Sequence, residues 1–343
     1  MNKANSLLLK TLLPVAIGLA VVVWLFASEF DIADWKRIPW NLHTILAIGA
    51  AWLFMAGREA GLAWRFRCMT DRDLSWKQAI KVTMLCEFTS AITPTTAGGS
   101  ALSMVFMNRE GISGGRATTL MMCTLFLDEA FFVVMCPVIF LLVPSSVLFG
   151  FDTGSVGSGI RWAFWAVYCG IVLWTLLLFA GIFLRPHKVG EWLTRLFRLK
   201  WLRRWEKDIA GIAHSMVTTS EEIKTRSWKW WTEAIAATVT SWVSRYLVVN
   251  ALFVAFATGA SQLVVFARQF VVWTLLTVSP TPGGSGVSEW LFTAYYGDLI
   301  SDASVALVIA ICWRIITYYV YLATGALMIP SWVKQGVRNH HKQ

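Results

Sequence analysis

Residues 279–289, Ser-Pro-Thr-Pro-Gly-Gly-Ser-Gly-Val-Ser-Glu, interrupt a long run of hydrophobic sequence. Two prolines and three glycines do not continue a helix. Backbone that leaves the helix at membrane depth must find protein or water partners for its N–H and C=O groups. Such a break is costly and usually marks a binding site or a pathway. It also has an echo. A shift of 186 residues brings Pro280-Thr281 onto Pro94-Thr95, Gly284 onto Gly98, Gly297 onto Gly111 and Pro330 onto Pro144. Turn-type residues matching in one register predict a duplicated unit.

Composition sets the class. A chain that is 57% hydrophobic and 15% charged, with 20 Trp and 21 Phe, describes an all-α polytopic membrane protein. No polar block is long enough to fold as a soluble catalytic domain, so 1–343 reads as a single transmembrane domain. The six Cys are scattered without the paired spacing of zinc or redox sites, so neither metal nor cofactor is expected. The net charge of +10 is assigned to cytoplasmic loops beside anionic lipid rather than to nucleic-acid binding.

In chain order, hydrophobic spans are expected at 12–27, 42–63, 117–143, 160–184, 230–257 and 303–329. Between them, helix 76–93 stops at the break 94–99, and only a short apolar piece, 101–107, follows it. At ~1.5 Å per residue that piece cannot cross a ~30 Å core. The second break stands likewise between helix 263–278 and the piece 290–296. About six full spans and two re-entrant hairpins result, with a first unit at 42–144 and a second at 230–330. The connection 185–229 carries eleven Lys or Arg among Trp192, Phe197, Trp201, Leu202 and Trp205. It reads as an amphipathic helix on an anionic lipid surface or as an ordinary solvated linker.

Charge asymmetry tests this layout. With the N-terminus inside and both breaks as hairpins, inner segments collect 23 Lys or Arg and outer loops only Lys36 and Arg37. The remaining five of the 30 (Arg58, Arg161, Arg245, Arg268, Arg314) lie in or at the edge of spans. The expected location is a bacterial cytoplasmic (inner) membrane, with both termini cytoplasmic. The hairpins then enter from opposite faces, an inverted repeat of the kind that places a transporter site near the midplane. Each return helix starts just after its glycines, with free N–H groups suited to an anion such as phosphate. The backbone candidates are Gly98, Gly99, Pro280, Thr281, Gly283, Gly284, Ser285 and Gly286.

Charged side chains within spans strengthen the case, because they normally pair or face a polar cavity. Under the same shift Glu59 corresponds to Arg245 and Asp128 to Arg314; Glu129 lies beside Asp128. Two readings stand. The pairs lock the repeats together, or Arg245 and Arg314 bind a lipid phosphate with the acids as displaceable partners. Glu289 either steadies the second hairpin or titrates a proton. Glu87 and Arg268 are weaker candidates, each placed to face solvent near a rim.

Pro280-Thr281-Pro282-Gly283-Gly284 with Gly286 and Glu289, followed by Trp313-Arg314 and Tyr318-Tyr319, resembles the transmembrane domain of the lysylphosphatidylglycerol synthase/flippase family. The likeness spans about residues 12–330. In the first break the family pattern Pro-x-Arg-x-Gly-Glu is replaced by Thr96 and Gly99, which removes that charged pair. The resemblance implies translocation of a lipid between leaflets, with aminoacylated phosphatidylglycerol as the best-known cargo. Lipid aminoacylation by this chain alone is not expected, and no catalytic Ser-His or His-rich constellation appears. A polyprenyl-phosphate or glycolipid intermediate is the alternative cargo. A further alternative is a non-transporting partner of a lipid-modifying enzyme, and self-association is open.

This topology makes a direct prediction. In a Cys-free background, a membrane-impermeant thiol reagent added from outside should label a single Cys at position 298 and spare Cys at 109 or 207. Outside labelling at 109 would refute the re-entrant arrangement.

Overall fold

A computed structural model describes residues 40–93, 97–150, 155–197, 214, 217–257, 259–279, 281, 284, 286–300, 303–325 and 327–328. The span expected at 12–27, the first break at 94–96, part of the second break and much of the basic linker lie outside these residues. Among the described residues every regular element is a helix. Five helices among the described residues are long and apolar enough to cross a membrane: Leu42–Met69, Gly114–Leu142, Gly157–Leu184, Trp228–Phe256 and Val305–Gly325.

The chain runs through α1 (Leu42–Met69), α2 (Trp76–Ile92), α3 (Ala97–Arg109), α4 (Gly114–Leu142), the short α5 (Ser145–Phe149) and α6 (Ser155–Phe179). A π-helical turn, Ala180–Leu184, leads into the amphipathic α7 (Pro186–Phe197). Then come α8 (Trp228–Phe256), α9 (Gln262–Leu276), α10 (Val287–Tyr296) and α11 (Ala303–Arg314), which continues as a π-helix over Ile315–Tyr319. Local chemistry starts these helices where the backbone needs it. The Asn41 side chain accepts from Thr44 N at 2.8 Å at the head of α1, and Ser75 and Gln78 form a capping box at the head of α2.

Element bounds recur with the offset found in the sequence. Moved by 186 residues, α1 falls on 228–255 and α2 on 262–278, against Trp228–Phe256 and Gln262–Leu276 observed. The span expected at 42–63 runs on to Met69. Arg65 in this extension does not reach water, because it is 3% exposed and bonded inside the bundle.

Both broken segments fold back on themselves. Lys81, in the first turns of α2, pairs with Glu110 at the end of α3 at 2.6 Å. The piece expected at 101–107 is thirteen residues long, about 20 Å, and still short of a crossing. In the second unit Arg268 on α9 is clamped to the end of α10. It donates to Tyr295 O and Asp298, and to Val147 O at 2.7 and 3.0 Å. Arg268 is 1% exposed, so it is a buried clamp rather than a solvent-facing rim residue. The mouth of the first hairpin lies near the start of α4, where Arg116 bonds Asp71 and Asp73 at 2.9 and 2.6 Å. The mouth of the second lies near Val147, just past the other end of α4. The hairpins therefore open toward opposite ends of the bundle.

The axis of the molecule is the pairing of α1 with α8. Lipid tails are as apolar as leucine, so helices associate in a bilayer through close backbone approach. Gly57 and Gly61, one turn apart, supply it. A Cβ at Gly57 would meet Ser244 Oγ at 3.2 Å, and one at Gly61 would lie 2.9 Å from Ser241 N and 3.0 Å from Ala237 O. Beyond this seam Phe131, Phe132, Trp242, Tyr246 and Phe270 form an aromatic cluster that ties α4 and α9 to α8.

Gly61→Leu should therefore destabilise the protein by about 2 kcal/mol, the range for over-packing. Gly49→Leu on the same helix, where nothing lies within 4 Å, should be close to neutral. Thermal unfolding in one detergent compares the two.

Candidate functional site

The described residues enclose a cavity of about 290 Å³ where α1, α2, α4, α8 and α11 meet. Asp128 reaches it fourteen residues from either end of α4. Both hairpins reach it as well. Ser90, Ala91 and Ser103 line it from the first, and Leu276, Thr277, Ser279, Thr281 and Gly284 from the second. Tyr318 Oη donates to Ala91 O at 3.3 Å, joining α2 beside the first break to the π-helix of the last span.

Seven charged side chains stand among the largely apolar residues that line the cavity. The α1 helix presents Arg58, Leu62, Arg65 and Phe66 to the cavity, and α2 presents Thr83, Cys86, Glu87, Ser90 and Ala91. Both sets follow a 3.6-residue stripe. Arg65 grips Asp128 with both prongs, Nη1–Oδ1 at 2.5 Å and Nη2–Oδ2 at 2.9 Å, and Trp242 Nε1 donates to the same carboxylate at 2.8 Å. Arg58 lies between Glu59, in direct contact, and Glu87 at 2.9 Å. Tyr321 Oη bonds Glu59 and accepts from Arg58 Nη1 at 2.8 Å.

The remaining two arginines stand differently. The Arg245 guanidinium lies over the Trp273 ring at 3.7 Å, with Nη1 4.0 Å from Glu87. Its Nε is buried with no hydrogen-bond partner among the described residues. The Arg314 guanidinium lies over the Tyr318 ring at 3.9 Å. Arg245 and Arg314 are 8% and 5% exposed, so stacking on aromatic faces provides part of their stabilisation.

These pairs correct the sequence assignment. Glu59 does not pair with Arg245, nor Asp128 with Arg314; the partners are Arg58 and Arg65. A repeat offset relates positions that play equivalent parts, and equivalent parts of two units need not touch. Glu129 lines the cavity but forms no ion pair among the described residues.

The candidate backbone positions divide. Thr281 and Gly284 line the cavity, and Gly284 adopts φ +73° with room only up to Leu276 Cδ2, 3.3 Å from a notional Cβ. Gly286 is exposed, while Gly98 and Gly99 sit in the first turn of α3. Pro280, Gly283, Ser285 and the Glu289 side chain lie outside the described residues. Arg65 and the full part played by Arg58 and Glu87 were missed, although the stripes on α1 and α2 carried the signal.

The comparisons agree with this architecture. Residues 11–325 match the family described as Lysylphosphatidylglycerol synthase TM region, and the chain belongs to that family. It is similar to a UPF0104 membrane protein of Archaeoglobus fulgidus, 21% identical over 326 residues, covering 92% of this chain and 94% of that one. None of the solved structures matches it.

The buried pair makes a stability prediction. Arg65→Met alone leaves the Asp128 carboxylate uncompensated and should cost about 3 to 5 kcal/mol, whereas Arg65→Met with Asp128→Leu should recover most of it. Unfolding midpoints of the two variants decide. If Arg314→Met matched Arg65→Met and was rescued by Asp128→Leu, the pairing would be wrong.

Proposed function

We propose that this member of the lysylphosphatidylglycerol synthase transmembrane family is a lipid translocator that holds a phosphate-bearing headgroup between Arg245 and Arg314. The observation that carries the proposal is the mid-depth cavity where both hairpins meet. It contains two arginines stacked on aromatic rings, and the Nε of Arg245 has no hydrogen-bond partner among the described residues. Buried polar groups without partners are rare, and the expense is tolerated where a ligand completes them. A guanidinium edge matches two phosphate oxygens.

The cavity volume suits a headgroup and not two acyl chains, so the chains stay in the bilayer while the headgroup passes. In this reading the opposed hairpins form an inverted repeat, the end bearing Lys81, Arg116 and Arg226 faces the cytoplasm, and the basic α7 segment rests on anionic lipid. The chain acts as a carrier and not as an enzyme. Aminoacylated phosphatidylglycerol is the leading cargo, by family.

Arg245→Lys and Arg314→Lys keep the charge but lose the fork. Each should slow translocation of a fluorescent phosphatidylglycerol in proteoliposomes by about tenfold or more, the factor corresponding to ~1.4 kcal/mol. Unchanged rates in both variants, with wild-type thermal stability, would refute the phosphate role.

A further inference from the structure

Building on the reading of the cavity as an anion site, we propose that Glu129 takes up a proton when an anionic headgroup binds, so that anion and proton occupy the protein together. Among the described residues, the charged groups of the cavity and their bonded neighbours balance in sign. Arg58, Arg65, Arg245 and Arg314 stand against Glu59, Glu87, Asp128 and Glu129. A bound phosphodiester adds one uncompensated negative charge in surroundings that screen poorly. One proton restores neutrality.

The geometry selects the acid that receives it. Glu59 is held by Arg58 and Tyr321, Glu87 by Arg58 at 2.9 Å, and Asp128 by Arg65 and Trp242. Protonating any of these removes charge-assisted bonds that fix the helices. Glu129 lines the same cavity without a cationic partner among the described residues, so its protonation breaks nothing. Asp128 precedes it on α4, with Arg65 of α1 bound there. Across the cavity stand Arg245 of α8, Arg314 of α11, and Arg58 and Glu87 of α1 and α2. The cavity surfaces of α3, α6 and α9 are neutral: Ser103, Trp174, Trp273 and Thr277. The proton comes from bulk water, and no other bond is made or broken.

The loaded state binds more protons than the empty one, so anion affinity falls as pH rises, by up to about tenfold per unit. Calorimetric titration of detergent-solubilised protein with dihexanoylphosphatidylglycerol, in two buffers of different ionisation enthalpy, measures the uptake. Wild type should take up as much as about one proton per probe bound. Dihexanoylphosphatidylcholine, which brings no net charge, should cause none. Glu129→Gln should bind the anionic probe with pH-independent affinity and no uptake. Equal uptake in wild type and Glu129→Gln would overturn the assignment to Glu129. Binding by wild type without uptake would overturn the coupling alone, leaving the anion site intact. No binding by wild type would overturn both. The wild-type arms are decisive even if Glu129→Gln fails to fold.

Discussion

An ionised side chain at membrane depth is costly unless it pairs with another group or faces a polar cavity, and the architecture here depends on that constraint. Arg65 and Asp128 sit on helices far apart in sequence, and their two-pronged contact fixes how α1 and α4 meet. Trp242 adds α8 to the same carboxylate. Glu87 adds α2 through Arg58, and Tyr321 adds the last span. Together these contacts tie five helices to one polar centre.

Two sorts of contact divide the labour. The hairpin mouths are clamped by groups near the ends of the bundle, Lys81 with Glu110 at one end and Arg268 with Val147, Tyr295 and Asp298 at the other. Ser90 of α2, Thr281 and Gly284 of the second break, and Tyr318 of the π-helix line the central cavity together. A π-turn inside a long helix commonly accompanies a functional site. Here it begins at the residue after Arg314 and places Tyr318 beneath that guanidinium.

The sequence by itself determined the class and the rough bounds of the described spans. These follow from the chain's own hydropathy, from proline and glycine chemistry, and from a repeat offset that survives in the bounds of α1, α2, α8 and α9. It also singled out Arg245, Arg314 and Asp128 as costly charges within spans. Only the tertiary structure decided which charges touch. Glu59 is held by its neighbour Arg58 and by Tyr321, and Asp128 by Arg65, which lies beyond the span end expected from hydropathy. Hydropathy averages over a window, so it ends a helix where charges begin. It cannot register that a helix continues with its arginine turned inward to a partner 63 residues away. Pairing is set by how the helices rotate and cross, and the seam of Gly57 and Gly61 against Ser241 and Ser244 fixes that for α1 and α8.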